Sequence, residues 1–182
     1  MAIGTYAELK TAVANWLDRD DLADRIPEFI ALAEARMNRV LRLRMMESKY
    51  TASTIASQRN YALPASYIQM RNFQLNTSPL TSLSYVSPEI YDRLWGGSQG
   101  GTPLFYTIIA NELQLGPIPG SVITMEMLFY KKIGALSASN TTEQMLTDNP
   151  DVYLYGALLE AEPFVMNDER IGVWAQGFEK AI

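Results

Sequence analysis

The chain of 182 residues contains no cysteine and no histidine. The first absence excludes disulfides, thiolate nucleophiles and cysteine-ligated metals. The second removes the commonest general base and the commonest zinc ligand, so Ser-His-Asp and Cys-His chemistry cannot arise within the chain. Carboxylates, lysine, tyrosine and serine are what remain for catalysis. No apolar run approaches the roughly 20 residues that cross a bilayer as a helix. The opening MAIGTYAELK has neither a basic nor an apolar leader segment, so the expectation is a soluble intracellular product. Positive charge is also short: 15 Lys and Arg stand against 20 Asp and Glu, a net charge of −5. Free nucleic-acid binders gain affinity by neutralising phosphates. This chain is better suited to lining a path along which DNA slides than to gripping it.

What is present is enough for a core. Apolar residues make up 48% and charged residues 19%, which fits one compact folded domain over residues 1–182. Thr5 and Glu8 form a capping-box pattern ahead of Leu9, Val13, Trp16 and Leu17 at helical spacing. Asp18 to Asp21 is a polar stop. Asp24 as cap and Pro27 in the first turn open a second helix, with Ile26, Phe29, Ile30, Ala33, Met37, Val40 and Leu41 on its apolar stripe and an end expected near Glu47. Arg36, Arg39, Arg42 and Arg44 load its second half. They read either as a solvated face that complements the helix dipole, or as an anchor for an acidic partner surface or a phosphate backbone.

From residue 48 the texture becomes that of short strands: an extended Ser48–Ser57, then Asn60–Leu63, then Ile68–Asn76 with a face switch that predicts a bulge or twist. Pro79–Val86, Leu104–Ile109, Leu113–Leu115 and Val122–Lys132 follow. Ser87-Pro88 caps a short helix that carries Tyr91, Leu94 and Trp95. Gly96 to Pro103 is a glycine-rich loop without the Gly-Lys-Ser/Thr of a phosphate cradle. Val122–Lys132 has one fully apolar face and one half-apolar face, which fits burial on both sides by helices and a neighbouring subunit. Gly134 to Asn149 reads as loop. Asn149-Pro150 starts a helix that is apolar almost all round, and such a helix is normally buried. Asn167 or Asp168 caps a last helix with Ile171, Trp174, Phe178 and Ile182 on one stripe. It reaches Ile182 without a cap, so a further C-terminal segment is expected. The fold class is α+β: a helical bundle of two N-terminal and two C-terminal helices (1–47 and 149–182) around a β-rich insertion (48–148).

Carboxylate clusters give no site. Asp148 and Asp151 suit a helix N-terminus. Glu160 and Glu162 are two apart on a helix and point to different sides. Asp18, Asp20, Asp21 and Asp24 lack the glycine and closing glutamate of a calcium loop. Lys131-Lys132 suits a protected strand edge. No catalytic residue, cofactor or metal is assigned. Ten tyrosines, nine methionines and three tryptophans are present, and Tyr, Trp, Met and Arg are interface-enriched types. Tyr50, Tyr61, Tyr67, Tyr85, Tyr91, Tyr106 and Tyr130 exceed what a small sheet would bury. Tyr85, Tyr106 and Tyr130, with the four arginines, form the candidate partner surface.

Three segments carry a resemblance: RIPEFIALAEARMNR, GTPLFYTI with ELQLGPIP, and NPDVYLYGALLEAEPF. Together with the flanking sequence, the chain resembles the head-to-tail adaptor (connector, head-completion) proteins of tailed bacteriophages over essentially its whole length. The resemblance implies a virion protein of the neck that forms a homo-oligomeric ring, usually of twelve. That ring docks beneath the portal protein, connects the capsid vertex to tail or nozzle proteins, and lets viral DNA pass without specific binding or membrane contact. It implies no catalytic motif. A tail-side neck or tail-completion protein of the same virion is the alternative.

Overall fold

The computed structural model describes residues 3–19, 21–96, 100–165 and 168–182. Asp20, residues 97–99 of the glycine-rich loop, and Asn167 lie outside them. The fold is α+β, as the sequence pattern implies. The chain divides into two compact units: Met1–Met45 with Ile133–Ile182, and Met46–Lys132.

The first unit is helical. Helix α1 (Tyr6–Leu17) opens with the expected capping box: Thr5 Oγ1 accepts the Glu8 N–H, while Glu8 Oε2 accepts the Thr5 and Gly4 N–H groups, each at 2.9 Å. This satisfies amides that a helix start otherwise leaves bare. Asp18 ends the helix in the left-handed region (φ 55°), donating its N–H to Ala14. Helix α2 spans Ile26–Val40 with Pro27 in its first turn. Arg25, not Asp24, precedes it, and no side chain caps it. The helix also stops well before Glu47, because Leu41 turns extended (ψ 142°). Arg42 donates to the Leu41 carbonyl at 2.5 Å and the Asn38 carbonyl at 3.1 Å, occupying acceptors that the helix end leaves open. Residues 134–143 are irregular, as read. A short helix α4 (Gln144–Asp148) then follows where only loop was expected; α3 (Pro88–Trp95) belongs to the second unit.

Helix α5 (Pro150–Val165) buries residues around most of its circumference, and α1, α2, α4 and α6 (Asp168–Ala181) all pack on it. Gly156 makes this possible. A Cβ there would stand 3.2 Å from Ala33 Cβ and 3.3 Å from the Phe178 ring. The contacts set direction. Phe29 meets Phe164, Arg36 meets Glu160, and Met45 meets Asn149, so α2 runs antiparallel to α5. Trp174 meets Glu162 and Phe178 meets Gly156, so α6 is antiparallel to α5 as well. Helices α2 and α6 therefore run the same way.

The second unit is β-rich. One sheet has the order β1-β10-β3-β4, built from Glu47–Ser53, Thr124–Lys131, Tyr67–Leu75 and Thr81–Ser82. A second has the order β2-β8-β7-β5, from Asn60–Ala62, Glu112–Gly116, Phe105–Ile109 and Ser84–Tyr85. Strands β6 (Gly100–Gly101) and β9 (Ile118–Pro119) pair on their own. The expected face switch appears as register shifts between β10 and β3 at Leu128/Phe129 and Tyr130/Lys131. Both larger sheets give one face to a shared core of Phe73, Leu75, Met125, Met127 and Phe129 from the first, and Tyr61, Tyr106, Leu113 and Leu115 from the second. Each such side chain stabilises by roughly 1.5–3 kcal/mol on burial. Helix α3 (Pro88–Trp95), capped by Ser87, lies against β7. Its Tyr91 is fully buried and donates to the Leu115 carbonyl at 2.7 Å, while Trp95 stacks on Phe105.

Candidate interaction surface

The four arginines of the sequence pattern end in three different situations. Arg36 is spent inside the helical unit, its Nε 2.5 Å from Glu160 of α5. Arg42 bonds the last carbonyls of α2. Arg39 on α2, and Arg44 in the 3₁₀ turn Arg44–Met46, are exposed and make no ion pair among the described residues. The expectation of one continuous arginine-loaded helix face is therefore corrected. The helix ends before two of the four, and Glu160 takes a third.

The tyrosines divide similarly. Tyr106 is a core residue, 7% exposed, edge-on to Phe73 with centroids 5.3 Å apart. Burial pushes its hydroxyl up to about 12. It is not available as a surface residue of the folded chain. Tyr85 is 57% exposed and lies edge-on to the Tyr106 ring. Tyr130 is half-buried on β10, opposite Glu47 of β1 and Gln69 of β3. The small sheets bury more tyrosine than expected, because Tyr61 and Tyr91 reach backbone partners: the Tyr61 hydroxyl accepts the Ile55 N–H and donates to the Gln58 carbonyl, both at 3.0 Å. The half-apolar face of β10 is laced with charge on its flanks. Glu126 pairs with Lys49 at 2.6 Å, and Arg71 pairs with Glu47.

Two buried carboxylates escaped the sequence reading. Glu34 is 5% exposed on the inner face of α2 and accepts the Leu136 N–H at 2.9 Å. Burial, with the nearby Glu143 carboxylate adding to it, pushes Glu34 up to about 7. Glu162 is 1% exposed and accepts the Trp174 indole N–H at 2.6 Å. Helical periodicity could have found Glu34, which falls on the same stripe as Ile30 and Met37. Glu160 and Glu162 do separate, one to Arg36 and one to Trp174. Among the described residues, no group of three or more acidic side chains could hold a metal ion, and no helix is long and apolar enough to cross a membrane. The open groove between α1 and the start of α2 carries Lys10 as its one charged lining residue among those described, beside small side chains such as Ala7, Ala14 and Ala23. These surfaces offer contact area and isolated charges.

The family model described as SU10 adaptor protein matches residues 4–182. The chain belongs to that family. It is a phage head-to-tail adaptor, a structural protein, and the family is not a known enzyme class. No curated protein gives a significant match to the chain. For an adaptor, the relevant features are exposed large apolar side chains on otherwise closed units. In the helical unit these include Trp16, Leu32, Val40, Phe164 and Val173; in the β unit they include Tyr50, Tyr85, Leu94, Leu104 and Val122. Isolated exposed apolar residues are ordinary. Those that line up along one helix face are candidates for contact.

Proposed function

We propose that the chain forms a ring, of twelve copies by the family resemblance, that docks on the tail-facing side of the portal protein and continues the DNA channel toward the tail in the virion neck. The observation that carries the reading is the adaptor family match over residues 4–182. Two physical features support it. A net charge of −5 suits a subunit that lets DNA pass without gripping its phosphates. Exposed Arg39, Arg44 and Tyr85 supply the residue types that anchor protein interfaces. Arg36, Arg42 and Tyr106, engaged internally, serve the fold.

The test is to mix the full chain with the portal ring of its own phage and examine the product by electron microscopy. A new ring on the tail-facing side of the portal supports the reading and gives the copy number. Association with tail components alone would instead make this a tail-side neck protein. A chain that stays monomeric with every virion partner would sink the ring.

A further inference from the structure

Two helix faces in the helical unit are left uncovered, and they match. On α2, the residues turned away from α5 are Glu28, Leu32, Ala35 and Arg39, all exposed, with Leu32 51% exposed. On α6, the residues turned away from α5 are Gly172, Val173, Gln176 and Glu179, all exposed, with Val173 60% exposed. One face offers a projecting leucine and a cation. The other offers a gap and a carboxylate.

The gap is Gly172. Glycine inside a helix weakens it relative to alanine, so its presence needs a reason. Gly156 and Gly177 have one within the chain, since a Cβ on either would press on Ala33 and Phe178, or on the Tyr155 ring. A Cβ on Gly172 would meet nothing within 4 Å. Among the described residues none requires a glycine there. An uncovered glycine on a helix leaves room for the close approach of another backbone.

Spacing and direction fix the partner. Leu32 and Arg39 are seven residues apart, and so are Gly172 and Glu179. Two parallel helices in that register place Leu32 over Gly172 and Arg39 against Glu179 together. Parallel is also the direction the fold supplies, because α2 and α6 both run antiparallel to α5. In a ring whose axis runs along the helices, rotation leaves their direction unchanged, and a neighbouring copy then presents its α6 parallel to α2. The two faces differ from each other, as a head-to-tail contact that closes a ring requires.

We infer that in the assembled ring α2 of each copy packs in parallel on α6 of the next, with Leu32 seated over Gly172 and Arg39 paired with Glu179. This rests on the ring reading above and names the contact that closes it. The test uses the absence of cysteine. A full chain carrying both Leu32→Cys and Gly172→Cys is assembled on the portal ring and oxidised. Bridged cysteines need Cβ atoms about 3.5–4.5 Å apart, so bond formation reports the register. The expected result is a covalent ladder running up to the full ring, and no ladder from either single variant. Rings visible by microscopy with no ladder overturn this contact while leaving the ring intact. No ring from the unmodified chain overturns both. Two further variants guard against a cysteine artefact. Gly172→Leu should keep or raise the melting temperature of the isolated chain and abolish ring formation. Arg39→Glu should lose ring incorporation, and adding Glu179→Arg should regain it. Rings from Gly172→Leu at wild-type yield would also overturn the contact.

Discussion

Replacing Glu34 by glutamine tests the electrostatics of the helical unit directly. The carboxyl is buried on α2 and holds the Leu136 N–H at 2.9 Å. Burial first, and the Glu143 charge after it, raise Glu34 from its ordinary 4.5 to about 7. A carboxyl raised on folding binds its proton more tightly in the folded chain than in the unfolded one. Its contribution is then fully present below about pH 4.5 and is lost as pH rises through about 7. The span corresponds to roughly 3 kcal/mol at about 1.4 kcal/mol per unit. At this chain length that is a shift of roughly 6–12 °C in melting temperature. Glutamine keeps a carbonyl for the Leu136 N–H and removes the charge. Thermal unfolding of both chains between pH 4.5 and 8 should show the two close together at the acid end. Glu34→Gln should become the more stable chain at pH 8. Subtracting one curve from the other removes the carboxylates they share. A variant that tracks the wild-type slope across this window, or melts lower at pH 8, would refute the reasoning.

Other substitutions probe other links. Gly177→Ala puts a Cβ 2.9–3.1 Å from the Tyr155 ring and should cost about 1–3 kcal/mol, read by denaturant unfolding. Gly172→Ala, with open space above it, should instead stabilise the isolated chain by about 1 kcal/mol in the same experiment. Glu162→Ala strands the buried Trp174 indole N–H and should cost about 1–3 kcal/mol, with a change in tryptophan emission. Tyr91→Phe removes one buried hydrogen bond to Leu115 and should lower stability by about 1 kcal/mol, without loss of β-sheet signal in circular dichroism.

The elements that were legible in advance are those whose signals are local. The Thr5/Glu8 box, the Ser87-Pro88 start and the Asn149-Pro150 start depend on residues within one turn of each other. The alternation along Thr124–Lys131 reported its buried face because Met125, Met127 and Phe129 meet the core of one sheet pair. What escaped depends on distant partners. Nothing near Arg36 announces Glu160, and nothing near Leu41 announces that the chain turns extended there. The five-residue α4 lies below the length at which apolar periodicity can speak. Tyr106 looked like surface because tyrosine is a usual interface residue, yet Phe73 from the other sheet covers it. Of the proposed contacts, Arg39 and Arg44 keep their exposure. Leu32 and Gly172 gain meaning only when both are seen uncovered.

The order of the units along the chain bears on how the protein is made. The helical unit is assembled from both ends of the sequence, while the β unit is one continuous stretch between them. During synthesis α1 and α2 emerge first, but the groups that cover Phe29 and Ala33 are Phe164 and Gly156. At translation rates of roughly 5–20 residues per second, that leaves the apolar side of α2 waiting for about 5–25 seconds. The β unit completes its own contacts within that interval. Each nascent copy thus carries a finished half and an open half, and its helical unit takes shape only when synthesis is almost over.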